Sequence, residues 1–201
     1  MQQIENCTAV VLTGGESKRM GSDKAMVELA GKPMAAHIVE MIDPLFSDIL
    51  ISVREYRTDV TLPQIKDDYA GSSCPASKGR GPMLGIKSAL EAAQSDWIFV
   101  IACDMPFVST ALIQELASHR AENDAVLTYV SDRPQPLFGF YAKSALPLMQ
   151  ARIAEGQRSM MRLIDKLDVC LLSEAQVKKI NPQLRSLMSL DSIEAVKKME
   201  L

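Results

Sequence analysis

Short apolar runs and longer stretches of helical periodicity take turns along this chain. Residues 9–12 (AVVL) form an apolar run suited to a buried parallel strand, and residues 48–53 (DILISV) form a second, β-rich one ending near Ser52. Residues 97–102 (WIFVIA) are fully apolar and predict the central strand of a parallel sheet. Residues 26–29 read as a short extended piece and 30–33 as a turn that opens a helix. In that helix Met34, Ile38, Met41 and Leu45 recur at helical spacing, and Pro44 marks the end. Pro82 opens a second helix with Met83, Ile86 and Leu90 on one face. Residues 109–120 and 143–154 predict two more, and Met160, Leu163 and Leu167 line the inner face of another. Strands are expected at 124–130, 137–141 and 169–172. The first two of these have only the turn 131–136 between them, so they should be antiparallel and the sheet mixed, in an α/β fold.

The first strand empties into chemistry. Residues 9–24 read AVVLTGGESKRMGSDK, with Gly14 and Gly15 followed by a polar segment carrying Lys18, Arg19 and Lys24. Glycines lack a Cβ, so such a loop brings backbone N–H groups close to an anion, and the cations add full charges. The spacing is neither that of a P-loop nor that of the dinucleotide fingerprint. A tight strand-to-helix turn with a solvated basic patch is the plainer alternative. The central strand ends in Cys103-Asp104-Met105-Pro106. Ligands of open α/β sheets gather at the carboxyl ends of strands, which places Asp104 well for holding a cation. Its other use, as a helix N-cap, falls more naturally to Ser109 or Thr110. Residues 70–82, rich in Gly, Ser and Pro and carrying Lys78 and Arg80, read either as a flap beside a triphosphate or as a surface insertion.

Composition narrows the classes. The 201 residues are 47% hydrophobic and 23% charged, enough for a sizeable core in a single domain spanning residues 1–201. A net charge of −3 and a pI near 5.5 argue against nucleic acid or an anionic membrane as partner. No apolar run approaches the about 20 residues of a membrane span, and the N-terminal residues lack a signal-peptide pattern, so a cytoplasmic protein is expected. Cys7, Cys74, Cys103 and Cys170 are too scattered for a zinc site or disulfide framework and read as reduced thiols. His37 and His119 lie apart in helix-like segments.

Residues 12–25, LTGGESKRMGSDKA, resemble the signature L-A-G-G-x-S-x-R-M-G-x-D-K-A of nucleotidyltransferases that transfer a nucleoside monophosphate from an NTP, and within them the molybdenum cofactor guanylyltransferases. Thr13 replaces the usual Ala. Cys103-Asp104-Met105-Pro106 and the 81–86 string GPMLGI match the same family. The resemblance implies a Rossmann-like, three-layer α/β/α fold with a mostly parallel, mixed sheet, as in nucleotide-diphospho-sugar transferases. It also implies Mg²⁺ on Asp104, catalytic Arg19 and Lys24 on the phosphates, and a nucleotide pocket of Leu12, Thr13, Gly14, Gly15, Lys24, Asp67 and Asp104. Asp67 would end a short strand from Gln64, with Asp68 as the alternative. Asn often stands at the place of Ser52. Pro136, Gly139 and Tyr141 match a pattern near the acceptor, and Gly156 and Arg158 match a G-x-R-S element in which Arg158 would clamp the acceptor's phosphate. Ser189 and Asp191 stand where the family usually has asparagines, Asp191 also serving as N-cap for a last helix.

The activity so implied is GMP transfer from GTP to the phosphate of molybdopterin, releasing pyrophosphate, with transient contact to cofactor-inserting or target molybdoenzyme proteins. A Gly-Gly pair goes with purine nucleotides in this superfamily. Cytidylyl transfer, guanylyl transfer to another phosphorylated acceptor such as a corrinoid precursor, and a GTP-binding sensor or cofactor chaperone without turnover stay open.

Overall fold

The computed structural model describes residues 2–13, 28–29, 31–53, 56, 58, 61–66 and 81–190. The apolar run at the start becomes β1 (Cys7–Leu12), buried over its whole length. It lies between β4 (Asp48–Val53) and β6 (Trp97–Ala102), parallel to both. Alternate β1 residues therefore face opposite layers: Cys7, Ala9 and Val11 enter one core, Val10 and Leu12 the other. β5 (Gln64–Lys66) extends the parallel set beyond β4. On the other side β8 (Arg133–Ala142) pairs antiparallel with β6 and with β7 (Ala125–Val130), and β9 (Val169–Ser173) closes that edge parallel to β7. The resulting seven-stranded order is β5-β4-β1-β6-β8-β7-β9, with β6 in the middle, so the sheet is mixed as its short β7–β8 connection requires.

Helices cover both faces. α1 (Met34–Ile42), α3 (Thr110–Ser118) and α6 (Glu174–Ile180) share one core with the aromatic rings of Phe46, Phe138 and Phe140, which surround Phe99 at centroid distances of 5.5, 5.4 and 5.0 Å. α2 (Pro82–Ala92), α4 (Leu146–Ala154) and α5 (Met160–Ile164) cover the second face. α2 buries every residue from Met83 to Leu90, and its Lys87 pairs with Glu91 at 2.9 Å. Glu91 also accepts from Gln150 Nε2 at 2.8 Å, which ties α2 to α4. No helix among the described residues is long and apolar enough to cross a membrane.

Several expectations shift in detail. Met41 is exposed and Ile42 takes the buried place, because i+3 and i+4 both satisfy helical spacing and docking selects one. The segment at 30–33 is not simply a turn: β2 (Glu28–Leu29) and β3 (Lys32–Pro33) pair as a small hairpin, with Gly31 at φ +75°. The turn expected at 131–136 shrinks to Ser131 and Asp132, both left-handed. β8 thus begins at Arg133 and contains Pro134 and Pro136. They fit because residues 133–137 run past the last β6 pair, Ile101–Phe138, leaving one flank free of ladder bonds. α6 was not anticipated, although its capping box from Ser173 to Gln176 is a readable start signal.

β7 and β8 approach so closely that a Cβ on Gly139 would lie 2.6 Å from the Val126 carbonyl oxygen and 2.5 Å from Leu127 Cδ2. Gly139→Ala should therefore cost about 3 kcal/mol, because a backbone atom must give way. A urea midpoint lowered at constant m would show it, and an unchanged midpoint would refute the close approach.

Candidate active site

Because β1, β4, β5 and β6 run parallel, their carboxyl ends share one rim. β1 is gripped from both sides there. Leu12 C=O accepts from Cys103 N–H at 3.0 Å, while Thr13 donates to Ser52 C=O from its N–H at 3.1 Å and from its hydroxyl at 2.7 Å. The Thr13 side chain is therefore an anchor between strand ends, and Ser52 contributes its carbonyl to that anchor with its side chain buried. The chain enters the Gly14-Gly15 segment from this fixed point.

Asp104 sits in a tight turn just past β6, closed by Met105 N–H on Ala102 C=O at 3.1 Å. It is half-buried, and its own carbonyl accepts from Leu190 N–H at 2.8 Å. Ser109 performs the capping of α3 through its hydroxyl, 3.3 Å from Leu112 N, which leaves Asp104 clear of that task. Among the described residues no group of three His, Cys, Asp or Glu forms a metal cage. A carboxylate at a strand end nevertheless suits Mg²⁺, which takes one or two protein carboxylates and fills its shell from phosphate and water.

The second element is the turn between α4 and α5. β8 ends opposite the start of β6, and β9 begins opposite the start of β7, so α4 and α5 leave from and return to the amino edge. Gly156, at φ +74°, ends α4 in a Schellman motif: its N–H reaches Ile153 C=O at 3.0 Å and Gln157 N–H reaches Arg152 C=O at 2.8 Å. Ser159 then caps α5 through Arg162 N–H at 3.4 Å. Between the stop and the start lies Arg158, whose Nε, Nη1 and Nη2 are all buried with no hydrogen-bond partner. A buried guanidinium without a counter-charge is costly, and its planar fork matches a phosphate.

Of the residues singled out in the sequence, Leu12, Thr13 and Asp104 meet at one rim, and Arg158 lies in the turn between α4 and α5, in the helical layer on the second face. Gly14, Gly15, Arg19, Lys24, Asp67 and Asp191 lie outside the described residues, as does the 70–80 segment. Pro136, Gly139 and Tyr141 are used within the fold: the Tyr141 hydroxyl donates to Pro136 C=O at 2.8 Å from a fully buried position. Cys7, Cys103 and Cys170 are free thiols. Burial, only partly offset by Arg120, pushes Cys7 up to about 12, so it stays protonated and inert at the amino end of β1. Leu190 escaped the sequence reading, since its link to Asp104 runs through a backbone N–H.

A mixed α/β sheet whose parallel strands deliver a glycine-rich connection and a strand-end aspartate to one rim defines a nucleotide-handling class. Residues 9–170 match the MobA-like NTP transferase domain, and the chain belongs to that family of nucleotidyltransferases. A probable molybdenum cofactor guanylyltransferase of Flavobacterium johnsoniae is 31% identical, over 82% of this chain and 83% of its own. The crystal structure of molybdopterin-guanine dinucleotide biosynthesis protein A from Archaeoglobus fulgidus superposes with a TM-score of 0.80 at 26% identity, covering 96% of each chain. The 2-C-methyl-D-erythritol 4-phosphate cytidylyltransferase of Thermus thermophilus shares the fold alone, at TM-score 0.64 and 13% identity over 95% of this chain and 96% of its own.

The left-handed backbone at Gly156 yields a direct check. Gly156→Ala should lower stability by about 1 kcal/mol, measurable by chemical denaturation, whereas an alanine accepted without loss would contradict the Schellman geometry.

Proposed function

We propose that this protein transfers the GMP moiety of GTP to the terminal phosphate of molybdopterin, forming the guanine dinucleotide cofactor and releasing pyrophosphate. The observation that carries the reading is the buried, unpartnered Arg158 guanidinium, an anion receptor in a chain whose relatives bear the name molybdenum cofactor guanylyltransferase. In the reaction, an acceptor phosphate oxygen bonds to the α-phosphorus of GTP while the α–β bridging P–O bond breaks and pyrophosphate leaves. The nucleophile is already an anion at neutral pH, so no general base is required, and catalysis rests on alignment and charge neutralisation.

The roles divide between two sides. The backbone from Leu12 through Thr13 and Gly14 to Gly15 holds base and phosphates, with Lys24 and Arg19 countering charge on the phosphates and Asp23 supporting Lys24. Asp67 accepts the N–H groups of guanine, a pattern that apolar contacts cannot read. Asp104 would hold Mg²⁺, which when bound neutralises phosphate charge. Arg158 grips the acceptor's phosphate through two N–H donors. The work fits the cytoplasm, with handover to proteins that insert the cofactor or receive it.

Pyrophosphate release tests the reading, with Mg²⁺, molybdopterin and each of GTP, CTP and ATP. Turnover should be confined to GTP and fall by about 10²–10³-fold in Asp104→Ala. Turnover with CTP instead would make the enzyme a cytidylyltransferase, and GTP binding without release would point to another acceptor or to a sensor. Arg158→Ala should raise the acceptor KM by roughly 30-fold, a loss of about 2 kcal/mol, and leave the GTP KM in place. Lys at this position should not restore it. Equal effects on both substrates would remove Arg158 from the acceptor side.

A further inference from the structure

Beyond α6 the chain follows a pinned route back to the rim. Asn181 is buried; its Oδ1 accepts from Arg185 N–H at 3.2 Å, its Nδ2 donates to the Ser186 hydroxyl, and its carbonyl accepts from Leu184 N–H at 2.9 Å. Leu184 is held left-handed at φ +54°, a conformation that persists in a bulky residue only when its surroundings impose it. The Arg185 guanidinium stands 5.7 Å from the Phe107 ring. From Met188 the backbone is extended, Ser189 is exposed, and Leu190 N–H binds Asp104 C=O.

The Leu190 side chain, 2% exposed, forms a small separate core with Leu29, Met34 and half-buried Phe107. Each partner belongs to a different element of the chain. Leu29 lies in the hairpin that follows the glycine and basic segment in the chain, and its carbonyl accepts from His37 Nε2 at 2.6 Å. Met34 begins α1, and Phe107 follows Asp104 in the same connection to α3.

We propose that Leu190 is a positioning residue for Asp104, a coupling in which its N–H holds the Asp104 carbonyl and its side chain ties that turn to the 28–33 hairpin and the start of α1. The inference rests on the guanylyl-transfer reading, in which Asp104 would hold the Mg²⁺ that accompanies GTP.

Calorimetric GTP affinity of the full chain, without acceptor, tests this with Mg²⁺ and again with EDTA. With Mg²⁺, Leu190→Ala should bind GTP about tenfold more weakly, whereas in EDTA it should match wild type, and Leu190→Met should stay close to wild type in both. Phe107→Ala, which trims the same core at a half-buried position, should repeat the Mg²⁺-dependent loss if Leu190→Ala does not fold. Equal losses with and without Mg²⁺, or no loss, overturn the coupling. A wild type that binds GTP tightly with Mg²⁺ alongside an unaffected Leu190→Ala overturns the coupling alone, whereas a wild type without GTP affinity overturns the guanylyl reading with it.

Discussion

The carboxyl end of β1 is bonded on both flanks, and the site depends on that constraint. Leu12 C=O takes the Cys103 N–H on the β6 side, and Thr13 donates twice to Ser52 on the β4 side. A strand paired on one side is free to twist or fray at its end, whereas one held on both sides behaves as a fixed post. The glycine segment leaves from this post, and Asp104 follows one residue after the partner that grips it. The spacing between the end of β1 and the Asp104 carboxylate is thus set by hydrogen bonds of a buried sheet, with the two cores holding the sheet in place from either face.

Charge is arranged with the same economy. The chain is acidic overall, at −3, yet its signature segment carries three cations and the turn between α4 and α5 a buried guanidinium without a counter-charge. In the proposed reaction an anionic acceptor would supply what that arginine lacks, so that its binding would relieve a cost built into the folded protein. Gly156 and Ser159 exist in this picture to stop one helix and start the next around Arg158, which gives the G-x-R-S string a geometric reason.

Much of the fold was legible because buried strands write themselves as apolar runs: β1, β4 and β6 emerge at nearly their observed bounds. What was not legible depends on docking and neighbours. Met41 and Ile42 are equally good helical positions until α1 meets the sheet, and Pro134 and Pro136 resemble loop residues until β6 is seen to end before them. At the site, Leu12, Thr13 and Asp104 were visible because strand ends are visible. Leu190 was hidden, since a backbone N–H from a segment 86 residues later in the chain (190 − 104) leaves no mark in residue type.

The most direct measurement of the central claim follows the α-phosphate. With GTP labelled at the α-phosphorus, Mg²⁺ and molybdopterin, the label should move into a product whose mass equals molybdopterin plus GMP less water, while label at the γ-position leaves as pyrophosphate. Label that stays in GTP, or that emerges as free GMP with no acceptor-linked product, would contradict the account.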